Sequence, residues 1–234
     1  MKTGTAWIDP DAPVVRFSLN LDALEPGVPV CLTNLSWDDY ESLLEIVGDR
    51  HPRTCYADGE YEILMRTSTH AILVAIFCQF IWNLLDELDL PRKSIGACTL
   101  RRDDLGIAIE PDSSFYLENE LPVRGKLSLD FSVDPPPDLA IDVEVTGSVE
   151  KRMRIYAALR VPEVWRCKED SLIVNRLAEI GEYEVVERSR FFPQVPLNEL
   201  VRFVKQYDQM GELELMRSFR QWVRKQIAAG WPNK

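Results

Sequence analysis

The chain has 234 residues, enough for one large core or two small ones. At 46% apolar and 28% charged residues it reads as an ordinary globular protein, which excludes the disordered class. Against 38 acidic side chains there are 27 basic ones, a formal charge of −11. That balance repels polyanions at long range, so any nucleic acid must be met by a local basic patch.

The first 35 residues carry prolines at 10, 13, 26 and 29 and little periodicity, which predicts an extended arm with at most one short strand. The opening MKTGTAWIDPDAP has no apolar signal core. Ser36 precedes Trp37, Asp38 and Asp39, an N-cap with acids in the first turn. Leu43, Leu44 and Val47 follow at helical spacing, and Gly48 is a good stop, so a short amphipathic helix is expected. Gly59 marks a turn before a strand over 60–65. Thr67 to Thr69 offer an N-cap for a long helix over 70–88. Its apolar residues run nearly all round until Asn83, which predicts burial against a sheet. The apolar run from Ala71 to Leu85 contains Gln79 and Asn83 and runs into Asp86 and Glu87, which argues against a membrane span.

Strand-like runs follow at 97–101, 106–110 and 113–117, then a loop-like stretch that ends in Pro135, Pro136 and Pro137. The strongest strand pattern is DLAIDVEV, 138–145, followed by a helix over 148–159. Strands at 163–167, 171–177 and 183–187 and helices near 197–207 and 212–228 complete the chain. Spacing alone leaves open whether 138–167 is a βαβ crossover or a simple return. The order of elements predicts an α/β (mixed α+β) fold, one mixed sheet covered by helices.

Five cysteines, Cys31, Cys55, Cys78, Cys98 and Cys167, are odd in number and widely spaced, with no CxxC pair. They read as reduced thiols of a reducing compartment, which predicts a cytoplasmic protein. With only two histidines, His51 and His70, and no ligand spacing around them, a zinc enzyme has no support. Neither GxxxxGK[ST], GxGxxG nor GxSxG occurs.

Chemistry concentrates on the 138–145 strand. Its odd positions, Leu139, Ile141, Val143 and Val145, are apolar, and its even positions include Asp142 and Glu144. Two carboxylates about 6.6 Å apart along a strand raise each other's proton affinity unless a cation sits between them. A hard divalent ion suits such a pair. The alternation is equally met by the wet face of a half-exposed strand. In Glu110-Pro111-Asp112 the proline places Asp112 at a bend, where a turn aspartate is the plainer reading.

EPDSSFY, then PPPDLAIDVEVTGSVEKRMRIYAALRVPEVWR, resembles the Uma2 (DUF820) family of putative restriction endonucleases, above all its cyanobacterial branch. ADGEYEILMRTSTH and the closing MGELELMRSFRQWVRKQ are similar to the same family, and together the matches span 53–228 in order. The resemblance implies the PD-(D/E)xK nuclease fold, a restriction-endonuclease-like central mixed sheet flanked by helices. It divides the chain into an arm (1–35), a nuclease-like domain (36–196) and a C-terminal helical extension packed on that domain (197–234).

Carried over by position, Asp112 matches the aspartate of the PD element and Asp142 the acid of the second element. Glu144 stands where many such nucleases have lysine; Arg152 on the next helix takes that place, with Lys151 as a substitute. The resemblance thus implies catalysis by Asp112, Asp142, Glu144, Arg152 and Lys151. Asp112, Asp142 and Glu144 would hold Mg²⁺ or Mn²⁺, and the reaction would be hydrolysis of nucleic acid, DNA in preference to RNA. Two departures stand out: Ala71 replaces the acid that often follows the helix-starting histidine, here His70, and Arg152 holds its proton too firmly to be a base. The alternative function is therefore a catalytically impaired protein on the same fold that binds metal, nucleic acid or a partner. Glu62 lies on a strand that could approach the site. Arg217, Arg220, Arg224 and Lys225 give the last helix a basic face, which is either a phosphate track or a solvated surface. No membrane partner is expected, and a homodimer through the arm or the C-terminal helices is.

Overall fold

A computed structural model describes residues 20–48, 52–144 and 149–231. Residues 1–19 of the arm, His51, the strand end at Val145, the helix start at Ser148 and residues 232–234 lie outside the described residues.

The strands are β1 (Pro29–Leu32), β2 (Arg53–Ala57), β3 (Glu60–Leu64), β4 (Lys93–Ser94), β5 (Leu100–Arg102), β6 (Ile107–Ile109), β7 (Ser113–Tyr116), β8 (Leu139–Val143), β9 (Glu163–Cys167), β10 (Leu172–Leu177) and β11 (Tyr183–Val186). The helices are α1 (Trp37–Val47), α2 (Ser68–Glu87), α3 (Glu120–Val123), α4 (Val149–Ala158), α5 (Leu197–Val204) and α6 (Glu212–Ala228).

In place of the single expected sheet, the described strands form two. One is antiparallel, ordered β1-β3-β2-β6-β5; the other is ordered β11-β10-β9-β8-β7-β4. Only β8 and β9 run parallel in the second, so β8-α4-β9 is a crossover and not a return. The reason for two sheets lies at Glu110-Pro111-Asp112. Glu110 N–H bonds Thr54 O at 2.9 Å in the first sheet, and Asp112 N–H bonds Ile141 O at 2.9 Å in the second. Pro111 between them has no N–H to offer either ladder, so the chain changes layers there.

Local chemistry sets the other elements. Ser36 and Asp39 form a reciprocal capping box at the start of α1. Strand β2, which the sequence reading passes over, is joined to β3 by Asp58-Gly59. Both residues have positive φ (54° and 74°), as a two-residue hairpin turn requires. β1 pairs with β3 as an edge strand, so the last part of the extended arm is ordered sheet.

Helix α2 is long and apolar enough to cross a membrane by length and composition alone, contrary to the reading of its sequence. It serves here as a core helix: Phe77, Phe80, Ile81 and Leu84 are fully buried and share one apolar cluster with Leu139, Ile141 and Val143 of β8. Phe203 of α5 and Phe219 of α6 lie in the same cluster, with Phe80 and Phe219 ring centroids 4.4 Å apart. A second cluster, on the other face of β8, gathers Ala140, Cys55 of β2 and Ile155 and Tyr156 of α4. All five cysteines are free.

Candidate functional site

The site lies on the second face of β8, between the two sheets and under α4. Every residue of β8 is buried, so the wet-face reading of its alternation fails: Asp142 keeps 4% of its surface. Asp112 is equally deep. β7 and β8 pair antiparallel, and the Asp112 carboxylate accepts the Val143 N–H at 2.8 Å. The bend at Pro111 therefore does more than close a turn; it sets Asp112 beside the strand that carries Asp142.

Three arginines and a histidine converge on these acids. Arg152, from α4, donates Nε–H to Asp142 Oδ2 at 2.8 Å and a second N–H to Glu110 O at 2.9 Å. Tyr156, one turn on, donates its hydroxyl to the same Asp142 oxygen at 3.2 Å. Arg53, from β2, ion-pairs with Asp142 Oδ1 and lies 3.5 Å from Asp112 Oδ2. Arg66 bonds Glu110 at 2.8 Å and sits 3.5 Å from Asp112 Oδ1. His70, at the start of α2, brings Nε2 to 3.1 Å from Asp112 Oδ2.

These contacts set the protonation states. Burial works to raise the Asp112 pKa, but Arg53 and His70 outweigh it and hold the carboxyl well below the usual range. Burial and the neighbouring charge of Arg152 push Arg53 down to about 10, so it stays a cation at neutral pH. Arg152 is raised despite its burial, because Tyr156, Cys55, Asp112 and Glu62 favour its charged form. Burial pushes Tyr156 up to about 12, which keeps it a donor.

The predicted residues divide. Asp112, Asp142 and Arg152 come together. Lys151 turns to β3, where Nζ meets Glu60 O at 3.1 Å and Oε2 at 3.2 Å. Glu144 is half-buried and ion-pairs with Arg166 and with Lys168 (3.4 Å), so its carboxylate is committed away from Asp112. Glu62 is buried on β3 across the ladder from Cys55. Arg220 and Arg224 on α6 bond Asn83 and Glu87 of α2, so that part of the basic face is spent on helix packing. Arg53 and Arg66 were missed. The signal that could have found Arg53 was the Asp58-Gly59 hairpin turn, which implies a strand on both sides of it.

The fit to Mg²⁺ or Mn²⁺ is poor. Such an ion needs carboxylate oxygens at about 2.1 Å, and those of Asp142 already carry Arg53 on one side and Arg152 with Tyr156 on the other. Among the described residues no group of three or more His, Cys, Asp or Glu side chains is placed to hold a metal.

A model of the Uma2 family, described as putative restriction endonuclease, matches residues 37–205. Among solved structures, the chain is similar to a putative nuclease belonging to DUF820 from Anabaena variabilis ATCC 29413. The TM-score is 0.53 at 16% identity, covering 73% of this chain and 99% of that one. That likeness bears on the fold. No curated protein matches.

Proposed function

Since the chain belongs to the Uma2 family of putative restriction endonucleases, we propose that it acts on nucleic acid, DNA in preference to RNA, by hydrolysing a phosphodiester at the site around Asp112 and Asp142. The observation that carries this reading is the meeting of the two acids across β7 and β8, with Arg152 of the following helix on the second. In this reading Arg152, oriented by Asp142 and Tyr156, neutralises charge that builds on the phosphate. Lys151, next to it on α4, is held by Glu60 of β3 and is given no role. Asp112 and Asp142 hold the guanidiniums in register. The expected divalent ion enters no step, because both Asp142 oxygens are occupied, and Glu144 is given no role. Cytoplasmic location, independence of membranes and homodimerisation belong to the same proposal; fractionation and light scattering check them.

Plasmid, linear and single-stranded DNA and RNA, incubated with Mg²⁺, Mn²⁺ or chelator beside an Asp142→Asn control, test it. Cleavage that the substitution abolishes supports the reading. No cleavage beyond the control on any substrate sinks it.

A second reading, a nucleic-acid-binding protein that no longer turns over, is favoured by the neutralised acids. Gel shifts across a salt series that show binding without cleavage would establish it, and measurable turnover would exclude it.

A further inference from the structure

Asp142 lies on β8 and Asp112 just before β7, yet a single guanidinium, that of Arg53, reaches both. Three of their four oxygens face a cation or a donor, and the fourth, Asp112 Oδ1, is buried without a hydrogen bond, 3.5 Å from Arg66 Nε. Asp142 Oδ1 faces Arg53, and Oδ2 takes Arg152 and Tyr156. Asp112 Oδ2 takes the Val143 N–H, His70 and Arg53, and Oδ1 faces Arg66. Two carboxylates are thus balanced by Arg53 and Arg152, with Arg66 shared with Glu110. Apart from Arg66, which is partly exposed, the cluster is buried: Arg53 retains 3% of its surface and Arg152 5%.

Like charges held this close need a cation between them. In this chain β2 supplies that cation as part of the polypeptide. We propose that Arg53 occupies the position a divalent metal would take between Asp112 and Asp142, so that the native site excludes Mg²⁺ and Mn²⁺. The inference rests on these acids being the functional site. A metal ion could enter only by displacing a buried guanidinium, which would leave that guanidinium without a partner at considerable cost. Arg53 is also anchored at the head of a strand hydrogen-bonded on both sides, by β3 and β6, so its backbone cannot swing away.

Removing the guanidinium should create a metal site where the native protein has none. The probe is Mn²⁺ alone, followed by calorimetry and by the loss of the free-ion electron paramagnetic resonance signal, on the native chain, Arg53→Met and Arg53→Met/Asp142→Asn. The native chain is expected to bind Mn²⁺ no more tightly than Asp142→Asn does. Arg53→Met is expected to bind at least about tenfold more tightly, since a unit positive charge beside the ion is gone. The double variant should lose that gain. If Arg53→Met fails to fold, Arg53→Gln replaces it, and the native titration decides by itself. Stoichiometric Mn²⁺ binding by the native chain that Asp142→Asn abolishes overturns the proposal, as does a folded Arg53 variant with no gain. The outcomes separate from those of the nuclease reading. Metal-dependent cleavage with native Mn²⁺ binding keeps the nuclease and discards the internal cation. A gained Mn²⁺ site without cleavage does the reverse, and cleavage in chelator keeps both.

Discussion

Arg152 Nε lies 2.8 Å from Asp142 Oδ2, a buried charge pair that ties α4 to the strand it follows. Removing one partner strands the other charge out of water, which costs more than the pair is worth intact. Arg152→Ala should lower unfolding free energy by about 3–5 kcal/mol, read from urea midpoints at unchanged slope. Arg152→Lys should recover only part of the loss, since one ammonium cannot reach both Asp142 and Glu110 O. A loss below about 1 kcal/mol for the alanine variant would contradict the pairing.

Asp112 carries the strongest pH prediction. Its folded pKa lies far below the usual ~3.9, so the folded state favours the ionised form. The resulting stability is fully present above about pH 4 and is lost as pH falls through the folded pKa. Asp112→Asn should therefore be clearly less stable at pH 7, and its deficit should shrink steadily as pH drops below ~4. Urea titrations at several pH values check this; a deficit independent of pH would refute it.

Asp138 is a structural acid. Its Oδ2 accepts the N–H groups of Leu117 and Asn119 at 2.7 and 2.8 Å, and Oδ1 takes the Asn119 side-chain amide at 2.7 Å. Burial raises its pKa despite those donors, so folding disfavours its charged form relative to the neutral one. Asp138→Ala should cost about 2–4 kcal/mol and Asp138→Asn distinctly less. Faster hydrogen exchange at the Leu117 amide in the alanine variant is the local signature.

Phe219 on α6 is fully buried against Phe80 of α2 and Phe203 of α5. Phe219→Ala should destabilise the whole protein by about 3–5 kcal/mol in one transition. If only the last helix frayed, with the rest melting as before, α6 would be an appendage and not part of the core.

Much of this architecture was legible because it is written in local periodicity. The alternation at Leu139–Val143 gave β8 and its acidic face, and the apolar run through Phe77 and Phe80 gave α2. The crossover and the second sheet were not legible, because they depend on which strands pair, and only backbone bonds at Glu110 and Asp112 reveal that. Glu144 alternates correctly with Asp142 yet is captured by Arg166 of β9 and Lys168 just after it, a neighbour that no local pattern names. The Asp58-Gly59 turn signals the strand that carries Arg53 but not its role, because a lone arginine reads as surface until the acids that bury it are known. Its partners come from residues much further along the chain.

The layer change at Pro111 has a consequence for synthesis. One acid hangs from the short stretch that stitches the two sheets, and the other lies on β8, across a long connection that includes α3. A growing polypeptide that has released residues 20–116 from the ribosome can form the first hairpins, but it has Asp112 without the Ile141 carbonyl that fixes it. Neither layer by itself contains a finished centre. The geometry of the site is thus a late product of chain assembly, and a prematurely terminated chain ending before β8 would lack it.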